Sequence, residues 1–356
     1  MMYLIFNFSS MFFLYLRDRW KVGWIGYIFF FILISILPGF QYGVGTDYFS
    51  YENIYNNASV LEYYFNTKEY AFYYLVKCIH LFSDDSKFFF GIVAILQSLL
   101  ITFIFIKFKA HNFVVFLLFF CFFSITNLMH TQMNIIRVSF SIYLFILSLL
   151  YKFEGRILVS LFFLFLGVLF HKSTLAMLPF FIIPVRIYGF IYGKPAFFFL
   201  MFLSVFLFNP LGQFTLPIIE MFFPSYSNYY VGGGDLIPVS TLNILTKAYY
   251  IPISAMFIYY IGREEIISSE FERRLVGFWI IISSSYLLSY HYSFFTRINF
   301  FFVFYYIIPI YYVMQILYSK KKKIKLLFLT GYIFIPYILK VIFFPLAEFN
   351  YKTYIF

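Results

Sequence analysis

Apolar runs of membrane-crossing length follow one another along most of this chain, and they constrain its fold more than any motif does. A helix needs about 20 apolar residues to cross the hydrocarbon core of a bilayer, with about 17 to 25 as the usual range. Cut at its charge clusters, the 356-residue sequence yields about twelve such runs. They extend from Tyr3–Leu16 and Val22–Phe40 to Ile298–Tyr318 and Leu326–Phe344. Hydrophobic residues make up 63% of the chain and charged ones 12%, too little polar surface to clothe a soluble core of this size. The expectation is an all-α, polytopic integral membrane protein with about 12 transmembrane helices, forming one transmembrane domain over residues 1–356. No basic region precedes Tyr3–Leu16 and no small-residue cleavage site follows it, so it is read as a helix and not as a signal peptide.

The net charge of +11 is informative through its placement. Most of the Lys and Arg residues fall in the loops Arg17–Lys21, Lys107–Lys109, Lys152–Arg156, Arg186–Lys194, Arg263–Arg274 and Lys320–Lys325. These loops alternate with the others along the chain, and the positive-inside bias assigns them to the cytoplasm. The termini and two long loops, at 41–87 and 209–246, are then extracytoplasmic. In the first, Tyr70, Tyr73, Tyr74, Lys77 and Leu81 recur at helical spacing after Glu69 and predict an amphipathic helix on the membrane interface. The second contains Gly232, Gly233 and Gly234, suited to a movable lid. The Lys320–Lys323 run reads as an anchor beside anionic lipid, not as a nucleic-acid patch. Cys78 and Cys121 match no metal or redox spacing and read as packing residues. No phosphate loop, dinucleotide fingerprint or metal motif occurs, so no cofactor or metal is expected.

Ionisable side chains at membrane depth are costly and mark sites or pathways. Arg137 stands near the start of a predicted helix on which Asn134, Arg137 and Ser141 share a face, with His130 and Gln132 just before it. It is read either as a functional cation or as an arginine snorkelling to headgroups. Arg297 opens another helix at the same predicted level. The planar forks of two such arginines suit a diphosphate, and a structural ion pair is the plainer alternative. His171, Lys172, Ser173 and Thr174 form a polar break between apolar runs. In Gly43-Val44-Gly45-Thr46-Asp47-Tyr48 the glycines permit a tight turn, and Asp47 is either a helix cap or a general base.

Taken in order, these pieces resemble the EpsG family of polysaccharide-biosynthesis membrane proteins, which includes O-antigen polymerases of the Wzy type. The matching segments are Gly45-Thr46-Asp47-Tyr48 with Tyr51, Glu69, Gln132-Met133-Asn134-Ile135-Ile136-Arg137, His171-Lys172-Ser173 and Arg297. The resemblance implies a GT-C-like, metal-independent glycosyltransferase of the bacterial cytoplasmic membrane. Such an enzyme joins undecaprenyl-diphosphate-linked oligosaccharides, as donor and acceptor, at the outer face. It also implies a chain-length regulator and a flippase as partners, besides membrane lipids, and no nucleic acid. Asp47 is the first choice of base and Glu69 the second, with His171 beside them. Arg137, Arg297 and Lys172, together with Asn134, Gln132 and Tyr48, are expected to hold diphosphate or glycan. Two alternatives remain. One is a lipid-linked oligosaccharide flippase, which the clustering of polar groups at one face disfavours. The other is a membrane acyltransferase, disfavoured because His171 has no acidic residue within four positions.

Overall fold

In hydrocarbon a backbone must satisfy its own hydrogen bonds, which leaves helices and closed barrels as the spanning structures. The computed structural model describes residues 1–20, 22–207, 249–261, 263, 266–283 and 293–354. Among them every regular element is helical, and the only β pairing is an isolated bridge between Gln41 and Thr353. The described residues divide into two compact units, Met1–Leu178 with Leu317–Phe356, and Pro179–Ile316.

Among the described residues, four helices are long and apolar enough to cross a membrane: Ser86–Ala110, Ile136–Phe153, Ile298–Ser319 and Lys323–Phe343. The number reaches 6 if two bent pairs, Val115–Thr126 with Leu128–Asn134 and Lys172–Ile182 with Val185–Tyr192, each count as one span. Trp24–Gly39, Ile157–Phe170 and Ile251–Ile261 are apolar but shorter. The expected run at Tyr3–Leu16 is part of a longer helix that carries Arg17, Asp18 and Arg19 in its last turn.

In the first unit, α1 (Met2–Trp20) and α2 (Trp24–Gly39) form a hairpin, and α6 (Ser86–Ala110) packs against α2. Between them α3 (Tyr48–Asn56), α4 (Ala58–Asn66) and α5 (Tyr70–His80) form a cap over one end. The chain returns through α7 (Val115–Cys121), a π-helical turn at Phe122–Thr126 and α8 (Leu128–Asn134). Asn127, in the left-handed conformation at φ 56°, marks the 52° bend between the two segments. Then α9 (Ile136–Phe153) descends and α10 (Ile157–Phe170) ascends beside it.

The burial pattern of α10 is the reverse of a soluble helix. Ser160, Leu164 and Gly167 face inward, while Leu158, Phe162 and Phe165 are 84%, 59% and 62% exposed. Small and polar residues let two backbones approach, and large apolar ones are left for lipid. The inward residues bond as they pack. Ser148 Oγ donates to the Ser160 carbonyl, and Ser141 Oγ donates to the Gly167 carbonyl at 2.8 Å. Beside α10, α9 is buried almost all round, so it forms the axis of the unit.

The cap is held by aromatic packing. Tyr48, Tyr51, Tyr55, Leu61, Phe72 and Val76 join Phe89 and Phe90 of α6 and Phe140 of α9 in one buried cluster. The buried face of α5 is Phe72, Tyr73, Val76 and Ile79. A helix follows Glu69 as expected, and the stripe named in the sequence is divided: Tyr73 is buried while Tyr74, Lys77 and Leu81 are exposed, because the packed face rests on α4, α6 and α10.

In the second unit, the helices Val185–Tyr192 and Glu270–Ile282 pack together. A capping box starts the latter, with Ser269 Oγ accepting from the Glu272 backbone N–H and the Glu272 carboxylate accepting from the Ser269 N–H. The proposed lid glycines 232–234, like all of the loop at 209–246, lie outside the described residues. A side chain at Gly277 would bring Cβ to 1.9 Å from the Tyr188 carbonyl oxygen. Gly277→Ala is therefore expected to lose about 1–3 kcal/mol or more through overpacking. A lowered midpoint in thermal unfolding of the purified protein checks this, and an unchanged midpoint would contradict it.

Candidate functional site

The site begins with a discontinuity. The sequence predicts Asn134 and Arg137 on one face of one helix, but α8 ends at Asn134 and α9 starts at Ile136, with Ile135 between them at φ −108°, ψ 61°. The two residues consequently serve different parts of the cap. Asn134 Oδ1 accepts hydrogen bonds from the Asp47 backbone N–H at 2.8 Å and the Thr46 hydroxyl at 3.3 Å. Arg137 turns to Glu69.

The loop that Asn134 holds requires its glycine. Gly45 has φ +80°, and a Cβ there would lie 2.5 Å from Asn134 Oδ1. Asp47 stands in the N-cap position of α3, yet its carboxylate makes no capping bond. It accepts only from the Thr46 hydroxyl, at 3.1 Å, and is half-buried. Of the two fates open to Asp47 in the sequence, the capping bond is the one absent.

Glu69 precedes α5 and also forgoes capping. Its side chain is 5% exposed and both oxygens are engaged: Oε2 accepts from Arg137 Nη1, and Oε1 lies 2.6 Å from His171 Nδ1. The Arg137 guanidinium lies over the Tyr64 ring at 4.5 Å and near the Phe72 ring at 5.7 Å. Its Nε is buried without a protein partner. His171 ends α10 in an extended conformation, φ −158° and ψ 129°. Its backbone carbonyl accepts from Thr174 Oγ1 at 2.9 Å, which fixes the turn into the following 3₁₀ helix, Lys172–Met177. With Nδ1 on Glu69, Nε2 is the nitrogen left to face a ligand. Burial alone would raise the Glu69 carboxyl, but the hydrogen bond to His171 and the charge of Arg137 outweigh it and hold the group below the usual carboxylate range.

Three other expected residues are placed differently. Tyr48 is fully buried and stacked on Phe90 at 4.4 Å. Gln132 is fully buried and accepts from Tyr143 Oη at 2.9 Å. Lys172 is exposed. Arg297 lies on the helix Ser293–Phe302 of the second unit, and its side chain lies outside the described residues. The objection that His171 has no acidic neighbour is corrected: Glu69, 102 residues away in sequence, supplies one. Tyr64 and Phe72 are additions that sequence reasoning missed, since no spacing distinguishes them among 58 Phe and 35 Tyr. Among the described residues, no three His, Cys, Asp or Glu side chains converge to hold a metal ion.

These features describe a membrane protein with a polar cluster where a cap of short helices meets buried helix ends. The model of the EpsG family matches residues 2–356, and the chain belongs to that family, one of membrane polysaccharide biosynthesis. No curated protein and no solved structure matches the chain.

Two outcomes follow. Gly45→Ala is expected to push the loop off Asn134 and reduce activity by at least about tenfold, by displacing the Asp47 segment that Asn134 holds. Asn134→Ala, which removes the acceptor of the Asp47 N–H without introducing a clash, is expected to reduce activity by a similar factor. The second outcome concerns pH. The Glu69 carboxyl titrates below its unfolded value, so its stabilisation is complete above about pH 4.3 and is lost as pH falls through the lower folded-state value. The difference in thermal midpoint between wild type and Glu69→Gln should be constant near neutrality and close only in acid. A difference that closes between pH 5 and 7 would contradict it.

Proposed function

We propose that this chain is a glycosyltransferase that polymerises undecaprenyl-diphosphate-linked oligosaccharide repeat units, with its site at the outer face of the bacterial cytoplasmic membrane. The carrying observation is the constellation of Arg137, held by Glu69 and two aromatic rings, with His171 on the same carboxylate and Asp47 hung from Asn134. In this reading the apolar runs complete about twelve crossings in a GT-C-like arrangement, and the cap over α9 and α10 faces outward.

The reaction needs charge stabilisation on one side of the transferred sugar and a proton acceptor on the other. The acceptor hydroxyl attacks the anomeric carbon of the donor, the bond to the diphosphate breaks, and undecaprenyl diphosphate departs with the electron pair. Arg137 stabilises the charge that develops on it, a role suited to a preorganised cation, and Lys172 adds to the cationic field. Asp47 takes the hydroxyl proton. Glu69 is suited to positioning and not to proton abstraction, because both of its oxygens are engaged and its carboxyl is held low. His171, oriented through Nδ1, presents Nε2 to the diphosphate or the acceptor.

One observation favours a second reading, acyl transfer to an exported glycan: the His171–Glu69 pair has the form of an oriented base. Both readings are separated by one assay of polymer ladders from a purified lipid-linked repeat unit. Arg137→Ala is expected to lower turnover by about 100-fold or more, and Asp47→Asn by about 100-fold. Full-length ladders from both variants would overturn the assignment. Absence of ladders from wild type, together with incorporation of a labelled acyl group into the glycan, would replace it with the second reading.

A further inference from the structure

At the end of the first unit opposite Glu69, the α1–α2 hairpin and the last turns of α6 enclose a groove of about 370 Å³. Arg17, Gly23, Trp24, Tyr27, Ile106 and Lys109 line it. Its charge is unbalanced. The buried Asp18 carboxylate, 7% exposed, is shared by Lys109 Nζ at 2.8 Å and Arg17 Nη1 at 3.2 Å, so two cations face one anion. The same carboxylate also accepts from the Val115 backbone N–H at 3.0 Å. Arg17 Nε is buried and lacks a protein partner.

The arginine is fixed toward the groove by the helix crossing. A Cβ on Gly26 would stand 2.7 Å from Arg17 Cβ, so only glycine lets the arginine stem pass over α2. The guanidinium then rests 4.8 Å from the Tyr27 ring centroid. The first turn of α2 contributes in the same sense. Its N-cap, Gly23, supplies no side-chain acceptor, and no acid occurs in that turn, which leaves backbone N–H groups suited to an anion.

Two apolar stripes lead away from this cationic mouth. Trp24, Ile28 and Ile32 of α2 are 68%, 54% and 43% exposed. On α6, Phe103, Leu99 and Ile95 are 48%, 40% and 44% exposed. Both recur every four residues, so each forms a continuous line along its helix. A free phosphate would use the mouth alone. A molecule with a phosphate head and acyl chains uses both. Trp20, 75% exposed, adds a second tryptophan at this end, where indoles favour the membrane interface.

We propose that this groove binds the headgroup of an anionic glycerophospholipid, with Arg17 and Lys109 on the phosphate and the acyl chains lying along α2 and α6. The site is separate from the Glu69–Arg137–His171 cluster and does not depend on the function proposed for it.

The test is native mass spectrometry of the full-length protein in detergent, titrated with phosphatidylglycerol or phosphatidylcholine of identical acyl chains. Wild type should retain phosphatidylglycerol preferentially. Lys109→Gln should weaken that retention about fivefold, the effect of one cation near a lipid surface, while Lys77→Gln, an exposed lysine of the cap, should not. Size-exclusion chromatography establishes that the variant is folded. Trp24→Ala, which removes a side chain already exposed, provides an independent variant and should weaken retention of both lipids. Equal retention of the two lipids by wild type, or wild-type behaviour of both Lys109→Gln and Trp24→Ala, would overturn the proposal. Displacement of phosphatidylglycerol by millimolar inorganic pyrophosphate would assign the mouth to a free anion and also overturn it. Displacement by undecaprenyl diphosphate at stoichiometric concentration would make the occupant the carrier lipid, with the same consequence.

Discussion

The Glu69 carboxylate is the joint on which the rest of the site depends. It comes from the turn before α5 in the cap, and its two oxygens reach one residue at the start of α9 and another at the end of α10. Charges taken out of water are tolerated only when their remaining hydrogen-bonding capacity is met, and removing one member of such a pair typically costs about 3–5 kcal/mol. The cap is thus oriented by electrostatics at one point and by aromatic packing over a wider area. The packing of Tyr51, Phe72 and Phe140 supplies adhesion, which by itself allows sliding. The carboxylate selects one register among the arrangements that the rings would accept.

Around that joint, different devices hold Arg137 and Asp47. Arg137 is clamped by a salt bridge and ring faces, so its side chain is fixed although its helix begins only one residue earlier. Asp47 is positioned through its backbone: Asn134 grips the peptide N–H and leaves the carboxylate to the Thr46 hydroxyl. The break at Ile135 sends these two grips in different directions, and a continuous helix from Asn134 onward would have aimed both at the same wall of the cap.

The sequence disclosed the solvent of this fold and several of the polar residues that the structure brings together, for reasons that are local. Apolar length and basic loops are properties of consecutive residues, and so are the polar interruptions at Gly45–Asp47, Asn134–Arg137 and His171–Thr174. What remained hidden were relations between distant positions. The pairing of His171 with Glu69 leaves no trace in either neighbourhood, and the buried face of α5 is not marked in its sequence, because Tyr70, Tyr74 and Lys77 repeat at helical spacing as regularly as Phe72, Val76 and Ile79. Periodicity supplies an angle between residues and not the direction in which the helix is turned. Gln132 and Tyr48 sit beside Asn134 and Asp47 in sequence, yet helical and turn geometry rotates them into the core.

The separations within the cluster bear on how the protein is made. Glu69 lies 68 residues before Arg137 and 102 before His171. During synthesis the acid leaves the ribosome first, the arginine follows when α9 begins, and the histidine arrives only after α9 and α10 have been produced as a hairpin. Until then the glutamate, and later the arginine, lack their full set of partners. The cluster can therefore be complete only once α10 has been made. A chain that stalls or inserts α10 incorrectly keeps unsatisfied charge at a membrane end, the kind of defect by which an unfinished membrane protein differs most from a finished one.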